Sequence, residues 1–172
     1  MADTVALRYQ NRDVVFEKSR ALIAVRARAG MATAMHADID SVAEAGVSAP
    51  RRTIGAFDVV TLRPSMTGLE QTLDWLRARP SVAAASHVFT IRGEAALKVP
   101  DGHLHLRFAP TVPGHEQQAV LTRYRLQAIE ERGNGDYLVR ITSGSKNPLA
   151  TSAALQAEPG IALAEPEFVE AA

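Results

Sequence analysis

The fold is indicated by residues 76–85, LRARPSVAAA, because the same pattern returns at residues 155–164 as LQAEPGIALA. In both stretches a helical segment reaches a proline, which ends the helix, and a short apolar strand follows. The similarity extends upstream to two further strand-like pairs, residues 58–62 with 136–140 and residues 23–27 with 104–108. The sequence therefore contains two copies of one structural unit.

Each copy contains two predicted helices. The first helix of copy one is expected from about residue 30 to 45, where apolar residues keep helical spacing and the methionines fill the core. Its counterpart in copy two is expected at about 114–124. The second helices begin at a capping box, Thr67-Gly68-Leu69-Glu70, and at the cap Asn147 followed by Pro148.

The order of elements is strand, helix, two strands, helix, strand, which predicts an α+β protein of two ferredoxin-like (βαββαβ) units with antiparallel sheets. An N-terminal β-hairpin in residues 1–18, with its turn at Asn11-Arg12, is expected to pack on the first unit. The first unit covers residues 19–92 and the second covers residues 103–172. Residues 93–102 form the predicted linker, because glycine, proline and aspartate interrupt the pattern there.

The composition excludes several classes of protein. Nineteen basic residues balance nineteen acidic ones, so nucleic acid is not the expected partner. There is no cysteine, which excludes disulfides, thiolate catalysis and cysteine-bound zinc. The chain has no apolar run long enough to span a membrane and no secretory signal, so we expect cytoplasmic synthesis if Met1 is the native start.

No catalytic constellation or cofactor motif emerges, and we expect a protein that is not an enzyme and has no cofactor. His103 and His105 are spaced to share one strand face and, with a third ligand, would suit a transition metal. No convincing third ligand is near them in sequence, so a structural role and no metal are expected. Residues 133–136, GNGD, predict a hairpin turn and not a phosphate loop, because a strand follows.

The segment from Leu104 to Val169 resembles the propeptide domain of subtilisin-like serine proteases. The resemblance is carried by the opening strand LHLRFAP at residues 104–110, by GDYLV at residues 135–139, and above all by EPGIALAEPEFV at residues 158–169. The first copy resembles the same domain more weakly. It has Ser86 and Val88 where the second copy has Glu165 and Glu167, so it is a degenerate copy.

The resemblance implies an inhibitor and intramolecular chaperone of a subtilisin-like protease. Such a domain lays its sheet against two protease helices, with acidic side chains near the helix N-termini, and threads its tail into the substrate cleft. Glu165 and Glu167 alternate along a strand and are expected on one face. The implied protease-binding residues are Glu165, Pro166, Glu167, Phe168, Val169, Glu170, Ala171 and Ala172.

Two alternatives stay open. The implied partner is a protease catalytic domain, either in cis before processing or separately encoded. The alternative to a protease inhibitor is a tandem ferredoxin-like interaction or ligand-binding regulator. Its relation to propeptides would then be only ancestral, since this fold serves many functions. For Glu165 and Glu167, the competing interpretation is a solvated pair that protects an edge strand from aggregation.

Overall fold

The computed structural model describes residues 4–42, 52–62, 68–142 and 147–170, and that part of the chain is a mixture of α-helices and β-strands. Its helices are α1 (Ala32–Val42), α2 (Leu69–Arg77), α3 (Gly114–Arg123) and α4 (Pro148–Gln156). Its strands are β1 (Thr4–Tyr9), β2 (Arg12–Ala27), β3 (Arg52–Ile54), β4 (Phe57–Thr61), β5 (Val82–Ile91), β6 (Lys98–Phe108), β7 (Leu126–Gly133), β8 (Asp136–Ile141) and β9 (Ile161–Glu170). The predicted α+β class is confirmed.

The chain divides into two compact units. The N-terminal unit comprises Glu17–Val99 and Val169–Ala172, and the C-terminal unit comprises Met1–Phe16 and Pro100–Phe168. The N-terminal hairpin was expected to pack on the first copy. In the structure, residues 1–16 group with the second copy. The reason lies in specific contacts, because the backbone of Arg8 in β1 bonds to the side chain of Gln156 in α4.

In the N-terminal unit the strands are ordered β3, β4, β2, β5, β6. Strand β4 runs antiparallel to both β2 and β3, with Ile23 opposite Val60. Apolar residues of α1 and α2 cover alternate residues of these strands, as the helical periodicity predicts. The core consists of Ile23, Val25, Met35, Ile39, Val60, Leu73, Leu76, Val82 and Ala85.

In the C-terminal unit β8 lies between β7 and β6, and β9 pairs with the other side of β6. Strands β6 and β8 are antiparallel, with Leu104 opposite Val139 and Leu106 opposite Tyr137. These four side chains form a core with Leu121 of α3, Leu155 of α4 and Ala164 of β9, together with Phe108 and Leu126. Both helices therefore cover one face of the sheet, and residues at the alternate positions point to the other face.

Several local predictions are confirmed. The side chain of Asn147 accepts hydrogen bonds from the backbone N–H groups of Leu149 and Ala150, and Pro148 is the first helical residue. The GNGD segment is a hairpin turn between β7 and β8, with positive φ at Asn134 and Gly135. The helix of copy two begins at Gly114 as expected.

Other boundaries are shifted. The first hairpin turns at Gln10 and Asn11, which both have positive φ, and not at Asn11-Arg12. Residues 98–102 of the predicted linker belong to β6. Helix α2 begins after Gly68 with no side-chain cap bond, and Thr67 of the predicted capping box lies outside the described residues.

Within the described ranges, none of the helices has both the length and the apolar character needed to cross a membrane.

Candidate functional site

The predicted protease-binding residues follow a tight connection between α4 and β9. Gly160, which starts the turn into β9, has φ of +84°, a conformation that L side chains rarely adopt. A Cβ atom at this position would lie 2.7 Å from Cγ2 of Val112. Glycine is therefore required here both by the backbone conformation and by the space.

A second contact fixes the same connection from the side of α3. The hydroxyl of Tyr124 donates to Oε1 of Glu158 at 2.6 Å, and Arg123 forms an ion pair with Oε2 of Glu158 at 3.0 Å. Burial, and next the hydrogen bond to Glu158, raise the pKa of Tyr124 above its ordinary value of 10.0. The geometry of this corner thus depends on an acceptor at Glu158.

Glu165 and Glu167 occupy alternate positions of β9. Their neighbours Ala164 and Pro166 are buried, and Ala164 belongs to the core beneath the helices. Because side chains alternate along a strand, both glutamates point away from that core. Both are partly exposed.

Each of these carboxylates has a partner within the C-terminal unit. Oε1 of Glu165 accepts a hydrogen bond of 3.0 Å from the backbone N–H of Gln10, at the hairpin turn. Oε1 of Glu167 lies 3.2 Å from Nε2 of His105, on β6. One oxygen of each carboxylate therefore already has a partner.

Phe168 belongs to an aromatic cluster with the hairpin. Its ring stacks on Phe16 with centroids 5.1 Å apart and meets Tyr9 edge-on at 5.6 Å. Tyr9 and Phe16 also contact each other edge-on. Phe168 therefore helps to hold the hairpin in the C-terminal unit and does not project freely.

The next two residues of the predicted tail have contacts in the N-terminal unit. Cγ1 of Val169 approaches Gly55 so closely that a Cβ atom there would lie 2.6 Å away. Glu170 forms an ion pair with the buried Lys98. The predicted tail is thus part of β9 through Glu170, and Ala171 and Ala172 lie outside the described residues.

A groove lies beside the first half of β9, in the C-terminal unit. It has a volume of about 370 Å³ and is lined by Arg8, Asn11, Gln156 and residues 161–165. The side-chain amide of Gln156 donates to the carbonyls of Arg8 and Ala164 and accepts from the N–H of Arg8. This amide joins β1 to β9 at one side of the groove.

The first copy lacks the acidic pair, as the sequence shows, and its corresponding strand β5 differs in burial. Val88 is fully buried, and the hydroxyl of Ser86 donates to the carbonyl of His87. His87 itself is buried and hydrogen-bonded to Glu70. Desolvation lowers the pKa of His87 from its ordinary value of 6.5, although Glu70 acts in the opposite direction.

Sequence reasoning missed two residues that contact the acidic strand and missed the contact made by a third. Gln10 and Gln156 carry no motif, because a single amide or a turn N–H has no characteristic spacing. His105 was noticed, but its neighbour Glu167 lies on a strand far away in sequence, so no local pattern joins them.

No protein-family model matches the chain, and a search of curated proteins also found no match. The resemblance to protease propeptides therefore rests on the residues quoted above.

Proposed function

We propose that the C-terminal unit is a propeptide-like inhibitor and folding assistant that binds a subtilisin-like serine protease through the face of β9 that carries Glu165 and Glu167. The protein acts as a binding partner and not as an enzyme. The protease domain is either joined to this chain before processing or encoded separately.

The proposal includes a ferredoxin-like arrangement for each copy. The strand order in copy one is β3, β4, β2, β5, and in copy two it is β7, β8, β6, β9. Numbered within each copy, both orders are 2, 3, 1, 4. An identical order in both copies, with helices after the first and third strands, supports the repeat and its fold class.

The observation that carries the binding proposal is the placement of two carboxylates at alternate positions of β9, opposite the helix-covered core. Helices α3 and α4 pack on the opposite face of the sheet, so this face can meet the ends of partner helices. Backbone N–H groups at a helix N-terminus lack internal partners and favour negative charge.

The partner of Glu165 supports the same chemistry. In the structure this carboxylate already accepts from a backbone N–H, that of Gln10, at 3.0 Å. A protease helix offers the same type of donor, so docking exchanges one amide hydrogen bond for another. The net gain then comes from the helix dipole and from the added contact area.

The contacts of β9 limit which residues can act as the inhibitory tail. Phe168 is held by Tyr9 and Phe16, so the segment that enters a substrate cleft begins after it, at Val169. Entry requires Val169 to leave Gly55 and Glu170 to leave Lys98. Removing Ala171 and Ala172 should therefore weaken inhibition of catalysis more than it weakens binding.

The acidic pair is tested with the double variant Glu165→Gln/Glu167→Gln and a subtilisin-like catalytic domain, by isothermal titration calorimetry. Glutamine keeps the size and the acceptor oxygen but removes the charge. At about 0.3 to 1 kcal/mol for each carboxylate at a helix N-terminus, we expect roughly three- to thirtyfold weaker binding.

The matched control is Glu116→Gln, at an exposed position of α3, which should leave the affinity unchanged. Far-UV circular dichroism checks that all variants are folded. If the double variant and the control bind equally well, the acidic pair has no docking role.

The groove beside β9 favours a second candidate, a regulator that binds a small ligand or peptide. Its lining combines a guanidinium, two amides and a strand backbone, which suit a polar, extended ligand. An Arg8→Gln variant separates the two functions, because it changes the groove and leaves Glu165 and Glu167 in place. Loss of protease binding in that variant would favour the groove over the acidic face.

A further inference from the structure

We propose that Asp101, His103 and Glu167 form a binding site for a divalent transition-metal ion of the zinc class. Each residue offers one ligand atom, and these atoms all lie within 4.8 Å of one another. All three residues belong to the C-terminal unit. The inference goes beyond the proposed function, since it assigns a metal ion to Asp101 and His103, which protease binding does not explain, together with Glu167.

The fold brings together residues that are distant in sequence. Asp101 and His103 occupy alternate positions of β6, so their side chains share one face. Glu167 comes from β9, the strand that pairs with β6. The sequence showed two histidines without a third ligand. Pairing of β9 with β6 brings Glu167 to the face that already carries Asp101 and His103.

Asp101 is held in place by its own neighbours. Its Oδ1 atom accepts a hydrogen bond of 2.9 Å from the backbone N–H of His103 and lies 3.2 Å from Nδ1 of the same residue. Gly102, between them, has φ of +92°, a backbone conformation that L side chains rarely adopt. The hydrogen bond keeps the carboxylate next to residue 103 before any ion binds.

Glu167 is oriented by a second histidine. Nε2 of His105 lies 3.2 Å from Oε1 of Glu167 and 3.1 Å from Nη1 of Arg132. The cationic Arg132 thus contacts His105, which is not one of the three proposed ligands. The guanidinium of Arg132 donates to Nε2 of His105 and holds this imidazole beside Glu167, much as outer-shell contacts commonly orient the residues of a metal site.

The chemistry of the three ligands selects the class of ion. One imidazole and two carboxylates bring a charge of −2, which balances a dication, and they lack the thiolates that favour softer metals. Three protein ligands leave coordination positions for water. All three side chains are partly exposed, so an ion reaches them without unfolding of the chain.

The test uses the full chain without a histidine tag, treated with EDTA and then dialysed. Cobalt(II) serves as the spectroscopic probe, since its visible absorption reports the ligand geometry, and zinc(II) binding is measured by calorimetry. We expect saturable binding of one ion per chain, with a rise in melting temperature that depends on zinc concentration.

The variants His103→Asn and Glu167→Gln should each weaken binding at least tenfold. The matched control is His115→Asn, which removes an exposed histidine on α3 and should leave binding unchanged. Asp101→Asn is the third ligand variant, and it keeps the proposal testable if His103→Asn does not fold.

Absence of saturable binding at millimolar ion, or equal binding by the ligand variants and the control, would overturn the site. Because no protease is present in these measurements, their failure leaves the proposed function untouched. Conversely, a bound ion would engage Glu167 and so should lower affinity for a protease.

Discussion

At the scale of single residues, two positions have unusual surroundings: Gly160, just before β9, and His87 in the N-terminal unit. Gly160 combines a positive φ with a close neighbour, Val112. His87 combines burial with a hydrogen bond to an acidic side chain. Each effect makes a separate prediction.

Gly160→Ala should destabilise the C-terminal unit by about 1 to 3 kcal/mol, because it adds backbone strain and a collision with Val112. Gly133→Ala is the matched control, since Gly133 has the same φ of +84° but open space around it. Urea unfolding followed by circular dichroism measures both. If the two variants lose the same stability, the contact with Val112 contributes nothing.

The burial of His87 makes stability depend on pH. Because the folded-state pKa lies below the ordinary value of 6.5, the unfolded chain takes up the proton first as pH falls. Stability is therefore complete above about pH 6.5 and declines as the pH drops below that value. His87→Gln should flatten this decline in urea midpoints measured between pH 7 and pH 5, whereas the exposed-site variant His115→Gln should retain it.

At the scale of helices and strands, one helix cap and one hairpin turn were predictable, and strand lengths were not. The cap at Asn147 and the turn at Asn134-Gly135 follow local sequence preferences, so the sequence alone predicts them. The full length of strand β6 was not predictable, because Pro100, Asp101 and Gly102 are typical of a linker. In the structure Asp101 accepts a hydrogen bond from the N–H of His103, and the same residues are part of β6.

The long strand β2 escaped prediction for a related reason. Its polar middle, residues 17–20, separates two apolar stretches that read as independent strands. In the structure the hydroxyl of Ser19 accepts from the N–H groups of Ala21 and Leu22, and the strand continues through this point. The contacts of Glu165 and Glu167 were also unpredictable, because they depend on which distant strands become neighbours.

The cluster of Tyr9, Phe16 and Phe168 attaches the hairpin to β9, and its loss should be measurable. Phe168→Ala should destabilise the protein by about 1 to 3 kcal/mol, since it removes a stacked and an edge-on ring contact. Phe168→Leu, which keeps most of the apolar volume, should cost clearly less. Equal urea midpoints for Phe168→Ala and the unmodified chain would contradict this role.

At the scale of the whole molecule, two copies of one element order differ in the strand that ends each copy. In the first copy that strand has Ser86 and Val88, and in the second it has Glu165 and Glu167. The shared order agrees with the repeat that the sequence predicts, and the α+β class is confirmed. Because one fold serves many functions, the order alone does not define the function, which we propose to lie in the acidic strand of the second copy.

The most direct test of this account is titration of a subtilisin-like catalytic domain with the full chain, followed by residual hydrolysis of a peptide substrate. We predict stoichiometric, saturable inhibition of the subtilisin-like enzyme and no inhibition of a chymotrypsin-like serine protease, which has the same catalytic chemistry on a different fold. Full residual activity of the subtilisin-like enzyme at saturating chain, or equal inhibition of both enzymes, would contradict the central claim.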